Sequence, residues 1–126
     1  MLFDTDMLIW VQRGNDKAAS LIEEEAERYI ALQSYMELLQ CAKDKAHQRF
    51  TKDFLASFGF IILPLTEKIG HRAAIYIEEY SLSSGLRAGD ALVAATATEN
   101  NLPLASSNIK HFRVVKDLVL EGFKPD

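Results

Sequence analysis

Three carboxylates stand at matching places along this chain. Asp4 follows a very short apolar run, Glu37 lies in the first turn of a predicted helix, and Asp90 opens another. Carboxylates brought within a few ångströms of one another repel, and at least one stays protonated unless a cation intervenes. A hard divalent ion meets that need. Mg²⁺ and Mn²⁺ prefer carboxylate and water oxygens, and such an ion activates water and stabilises a phosphodiester in transition. Each acid also has an ordinary role. Ser34-Tyr35-Met36-Glu37 is an S-x-x-E capping box. Asp90 in a first turn complements the helix dipole by about 0.3–1 kcal/mol. Asp4-Thr5-Asp6 is a helix N-cap, with Asp6 the better capping candidate. At this stage both readings stand. For Glu37 they differ in geometry: a ligand turns toward Asp4 and Asp90, and a capping residue reaches back to the Ser34 N–H.

Other chemistries find less support. There is no G-x-S-x-G elbow, P-loop or dinucleotide-binding glycine fingerprint. Cys41 is the lone cysteine, set amid helix formers without an evident partner. It excludes an internal disulfide framework and suits a reducing cytoplasm, the compartment expected here. His47, His71 and His111 are scattered, which argues against a zinc finger. The net charge of −4 does not announce a nucleic-acid partner, although bound cations would offset a local acidic cluster. No apolar stretch reaches the roughly 18 residues of a membrane span. Met1-Leu2-Phe3-Asp4 has no basic segment leading into an apolar run, so no signal peptide is expected.

The elements that must position these acids follow from the hydrophobic pattern. With 126 residues, 48% of them hydrophobic, the chain is expected to form a single domain over 1–126 with a real core. Leu2-Phe3 reads as a strand ending at Asp4, and a short helix begins near Asp6. Asn15 caps a helix from Asp16 to Arg28, whose Glu23, Glu24, Glu25 and Glu27 form a solvated face. Tyr29 to Leu32 is strand-sized, and a helix follows from Tyr35 to about Lys45. His47 to Phe58 is amphipathic, with Phe50, Phe54, Leu55 and Phe58 at helical spacing, and Gly59 ends it. Phe60 to Leu63 is a continuous apolar run, read as a buried strand. Thr66 caps a helix from Glu67 to about Ser81. Ala88 to about Asn100 is a helix apolar nearly all round, which belongs inside a core. Leu102 to Ala105 gives a strand ending at Ser106-Ser107-Asn108, and His111-Phe112 lies in a following turn. Val114-Val115 and Leu118 to Leu120 are strand-like. Short apolar strands alternating with helices mean an α/β domain with a mainly parallel sheet of four or five strands, covered on both faces. In such folds sites lie outside the carboxyl ends of the strands. Asp4, Glu37, Asp90 and Ser106 can therefore meet at one edge of the sheet.

The same residues resemble a known family. Leu2-Phe3-Asp4-Thr5-Asp6-Met7-Leu8-Ile9 resembles the first motif of PIN-domain ribonucleases, and Ser34-Tyr35-Met36-Glu37-Leu38-Leu39 the second. Gly89-Asp90-Ala91-Leu92-Val93-Ala94-Ala95-Thr96-Ala97 is similar to the third and is the most specific match. Leu104-Ala105-Ser106-Ser107-Asn108-Ile109-Lys110-His111-Phe112 resembles the fourth. The motifs fall in the family's order, and the length is that of VapC-like toxins of bacterial and archaeal toxin–antitoxin pairs. The resemblance implies a three-layer PIN-like fold and a Mg²⁺- or Mn²⁺-dependent endoribonuclease. Asp4, Glu37 and Asp90 would be the catalytic metal-binding acids, supported by Ser106, Asn108, Asp6 and Thr5. Asn108 stands where many members carry a fourth acid. An amide coordinates through its carbonyl but adds no charge, which puts a second metal position in question. The resemblance also implies a homodimer and a cognate antitoxin that sets a basic group against the acids. Lys43, Lys45, Arg49 and Lys52, or Arg87, Lys110 and Arg113, would supply positive charge for RNA. Two other readings remain open here: an RNA- or partner-binding module with a weakened metal site, and a DNA-directed nuclease of the flap-nuclease type, for which the chain is short.

Overall fold

The computed structural model describes residues 1–126. Its elements in chain order are β1 (Leu2–Phe3), α1 (Thr5–Gln12), α2 (Asp16–Glu24), β2 (Tyr29–Ala31), α3 (Leu32–Gln40) and α4 (Lys45–Ser57). They continue with β3 (Ile61–Leu63), α5 (Glu67–Ser84), α6 (Ala88–Glu99), β4 (Leu104–Ser106), α7 (Ile109–Phe112) and β5 (Leu120–Gly122). The five strands form one parallel sheet in the order β3-β2-β1-β4-β5. The chain builds outward from β1 through β2 to β3, then crosses back to lay β4 on the other side of β1. The β1/β4 seam is therefore the topological switch point, where open α/β sheets hold their ligands.

Alternation along the strands divides the core in two. Leu2, Ala31 and Leu104 face a layer made by α5, α6 and α7, with Ile69, Tyr76, Val93 and Phe112. Phe3, Ile30 and Ala105 face the opposite layer, with Met7 and Leu8 of α1, Ile22 of α2, Leu38 of α3 and Leu55 of α4. This is the three-layer arrangement expected, with five strands. The helix apolar nearly all round lies against the sheet as α6, and its Ala91, Ala94, Ala95 and Ala97 are fully buried. Alanines let the backbone of α6 come close to its neighbours, and α5 packs along it. The base of this pair is tied by Arg72, which bonds Glu99 and, at 2.6 Å, Asp117. The buried Tyr76 hydroxyl lies 2.8 Å from Asp117.

Several sequence-based boundaries shift, each for a physical reason. The second helix stops at Glu24 rather than Arg28, because the Arg28 guanidinium folds back onto the carbonyls of Ile22 and Glu23 (2.7 and 3.1 Å) and onto that of Phe58 (2.7 Å). The third helix begins at Leu32, directly after a three-residue strand, with Ala31 at its N-cap position and no side-chain cap. Ser34 is thus inside the helix, buried, with its hydroxyl unpartnered. The fourth helix starts at Lys45, where the Asp44 carboxylate accepts from the His47 N–H at 2.8 Å. Phe60 to Leu63 is not a buried strand. β3 is an edge strand, and Ile61 and Ile62 are 52% and 39% exposed. Thr66 caps α5, which runs on to Ser84 and ends at Gly85 in the left-handed conformation (φ 77°). His111 and Phe112 belong to the short helix α7, and Val114-Val115 form no strand.

The packing of α6 makes a direct prediction. Ala94→Leu inserts three carbon atoms where there is no space, and should lower unfolding free energy by about 1–3 kcal/mol in denaturant titrations.

Candidate active site

The register of β1 against β4 builds the site. Phe3 pairs with Ala105, and the Asp4 N–H donates to the Ala105 carbonyl at 3.0 Å. The next side chain on each strand end, Asp4 and Ser106, then meets the other: the Ser106 hydroxyl donates to Asp4 Oδ2 at 2.8 Å. The Thr5 N–H donates to Asp4 Oδ1 at 2.8 Å. Asp4, not Asp6, is therefore the N-cap of α1, because the chain enters the helix one residue after β1 ends.

Asp6 has a different task. Its Oδ2 accepts from the Ser107 N–H at 2.9 Å and from the Ser107 hydroxyl, with the Ser106 hydroxyl at 3.4 Å. These bonds clamp the first turn of α1 to the loop after β4. Asp6 Oδ1 is buried without a partner. Ser106 is also held from the far side, where the Asn108 N–H donates to its oxygen at 3.0 Å.

Glu37 answers the geometric question posed by its sequence. It does not cap α3 from a Ser34 N-cap, since α3 has already begun at Leu32. Its Oε1 accepts from Thr5 Oγ1 at 3.4 Å, so the carboxylate lies on the side of Asp4. Asp90 combines two roles. Its Oδ2 accepts from the Arg87 N–H at 3.3 Å, the bond of a helix N-terminal acid, and lies 3.2 Å from Nδ1 of His111. Asn108 also approaches that ring nitrogen, through Nδ2 at 3.2 Å. His111 was not singled out from sequence as a site residue. The signal available was its position three residues after Asn108, which puts the two on one side of a helical turn. Gln33 of α3 also lies near these residues, its Nε2 3.4 Å from where a Cβ at Gly89 would sit.

The electrostatics follow from burial. Asp4 is 8% exposed, and loss of water raises its pKa from 3.8 to about 7, with the charges of Asp6 and Asp90 adding to the rise and the bonds from Ser106 and Thr5 opposing it. The Glu37 carboxyl is raised as well, first by desolvation, then by Asp90, against hydrogen bonds from Thr5 and Gln33. No lysine or arginine forms an ion pair with any of the four acids. A dehydrated carboxylate among like charges and an all-oxygen donor set fit a hard divalent cation. No three acidic, histidine or cysteine groups converge into a ready-made cage. The basic candidates Lys43, Lys45, Arg49, Lys52, Arg87, Lys110 and Arg113 are all exposed. Lys45, Arg49 and Lys52 line one side of α4 around an open hollow of about 410 Å³.

Comparison with known proteins adds a separate line of information. The family model described as "PIN domain" matches residues 1–118. Ribonuclease VapC10 of Mycobacterium tuberculosis is 33% identical over 122 residues, covering 94% of this chain and 90% of that protein. Among solved structures, a chain of a toxin–antitoxin complex from Klebsiella pneumoniae superposes with a TM-score of 0.80 at 28% identity, over 99% of this chain and 97% of that one. A chain of VapBC2 from Rickettsia felis, solved bound to a DNA fragment from its promoter, gives a TM-score of 0.80 at 20% identity over 98% of both chains. That last likeness concerns the fold alone.

The raised pKa of Asp4 sets a pH dependence for the metal-free protein. The folded state holds this proton more tightly than the unfolded chain, so stability from this group is intact below about pH 4 and is lost as pH rises toward 7. Asp4→Asn keeps a capping oxygen and removes the buried charge. It should melt with the wild type near pH 4 and exceed it by about 2–4 kcal/mol at pH 8, measured by denaturation in a chelator.

Proposed function

The chain belongs to the PIN-domain family, and on that footing we propose that it is a metal-dependent endoribonuclease acting as the toxin of a toxin–antitoxin pair. The observation that carries this reading is the gathering of Asp4, Glu37 and Asp90 around the β1/β4 switch point with no lysine or arginine to balance them. Asp4, Asp90 and Glu37 would hold a Mg²⁺ or Mn²⁺ ion. When bound, such an ion offsets the charge of the acids and of the phosphodiester and lowers the pKa of a water that attacks phosphorus.

The protein's own contribution is to hold these groups still. Ser106 and the Thr5 N–H fix both oxygens of Asp4, so the carboxylate presents one orientation. The Thr5 hydroxyl holds Glu37. Asp6 stays out of the reacting set and locks the loop that carries Ser106. Burial keeps competing water from the Asp4 carboxylate. RNA would approach over the exposed cations of α4 and those flanking Asp90 and α7, which counter the net charge of −4 where the strand runs.

Partners follow on the same footing. A cognate antitoxin would set a basic group against the acids, which have no lysine or arginine partner. A second copy of the chain would cover the unpaired edge of β3, where Ile61, Ile62, Leu65 and the nearby Met36 of α3 are exposed. No helix is long and apolar enough to cross a membrane. The cytoplasm is the proposed compartment, since the lone Cys41 is free and exposed.

Cleavage of single-stranded RNA should require Mn²⁺ or Mg²⁺ and stop in excess chelator. Asp4→Asn and Asp90→Asn should each slow it at least about 100-fold without loss of fold by circular dichroism. Full activity in both variants would remove these residues from the site. RNA binding with no cleavage under any divalent ion would point to a binding module, and faster cleavage of a matched DNA would point to a DNA-directed enzyme.

A further inference from the structure

We propose that His111 is a positioning residue of the acidic site, its Nδ1–H holding the Asp90 carboxylate in one orientation. The inference rests on the reading of that cluster as a divalent-ion site.

The geometry is specific. Nδ1 lies 3.2 Å from Asp90 Oδ2 and 3.2 Å from Asn108 Nδ2. The first neighbour is an acceptor, and the second is a donor as oriented. A single ring nitrogen cannot answer both, because the first requires a proton on Nδ1 and the second requires a lone pair. The carboxylate decides the matter, since a hydrogen bond to an ionised acceptor is roughly twice as strong as a neutral one. An unprotonated Nδ1 would instead set a lone pair against a carboxylate oxygen, leaving Asp90 Oδ2 to the longer bond from the Arg87 N–H at 3.3 Å.

The ring is placed to hold this contact. It is half-buried, and its neighbour Phe112 is fully buried in the core, which anchors α7. Its Nε2 lies 3.7 Å from where a Cβ at Gly85 would sit, so the ring rests near the left-handed turn that ends α5. The contact joins three parts of the fold: the C-terminus of α5, the first turn of α6 and α7. Groups that orient a metal-binding side chain from behind typically matter by 10–100-fold in metal affinity.

Two measurements test the proposal. Long-range proton–nitrogen correlation spectra of the metal-free wild-type protein should show His111 with a proton on Nδ1. A bare Nδ1 with the proton on Nε2 would overturn the proposal, and would mean that Asn108 donates to the ring. Mn²⁺ titrations followed by electron paramagnetic resonance then test the consequence without using activity. His111→Ala should weaken Mn²⁺ binding by about 10–100-fold. His111→Asn puts an amide N–H close to where Nδ1 stood, and should bind within about threefold of wild type. Wild-type affinity in His111→Ala, or equal weakening in both variants at matched melting temperatures, would overturn the proposal. Asp90→Asn separates the two levels. If it loses Mn²⁺ while His111→Ala does not, only the role of His111 falls. If Asp90→Asn binds as the wild type does, the divalent-ion reading falls and takes this inference with it.

Discussion

A carboxylate taken almost wholly out of water is the constraint on which the site depends. Asp4 ends a two-residue strand in the middle of the sheet, and its burial comes from the same packing that makes the core. Desolvation alone would drive it to the neutral form. Two donors, the Ser106 hydroxyl and the Thr5 N–H, work against that, while Asp6 and Asp90 work with it. The result is an acid with a pKa of about 7, poised between charged and neutral and lacking a basic partner. Each of those donors is delivered by backbone geometry. Ser106 arrives through the β1–β4 pairing, and the Thr5 N–H is free because α1 has only begun.

The same logic explains why so few residues suffice. At the switch point the chain leaves β1 and β4 toward opposite layers, so the ends of both strands lie side by side. Around them, Asp4 caps α1, Glu37 lies one turn or so into α3 and Asp90 lies in the first turn of α6. The dipole role of Asp90 and its proposed role in the site are compatible, because a helix start that favours a negative charge also holds that charge in a fixed direction. The buried alanines of α6 give the residue a rigid base.

A chain of net charge −4 with a proposed polyanionic substrate needs a counter-charge at its acids. The cations of α4 stand on exposed surface, whereas Asp4 is buried and Asp90 half-buried. A divalent ion would complement the acids in the presence of RNA. A basic group from an antitoxin would complement them in the absence of cleavage. Both proposed partners thus answer one electrostatic feature.

Much of this was legible in the residues. Alternating short apolar strands and helices determined the α/β class, the near-uniform apolarity of Ala88 to Ala97 marked a buried helix, and four motifs in order indicated the family. Local chemistry also placed Asn15 and Thr66 as caps, because capping depends on a few adjacent residues. What sequence could not decide were competitions between local and distant partners. Ser34 to Glu37 has the pattern of a capping box, yet β2 hands over to α3 at Leu32 and Glu37 turns to Thr5, 32 residues away in sequence. Asp6 reads as a cap until Ser107 reaches it across the sheet. Phe60 to Leu63 reads as buried because it is apolar, and only the strand order puts it at an edge. His111 gains its significance from Asp90, 21 positions earlier. Sequence alone determined which groups carry charge and which segments bury themselves, since those follow from side-chain type and period. Which acid meets which donor was decided by strand order and register, because a sheet's pairing sets distances between residues that share no local pattern.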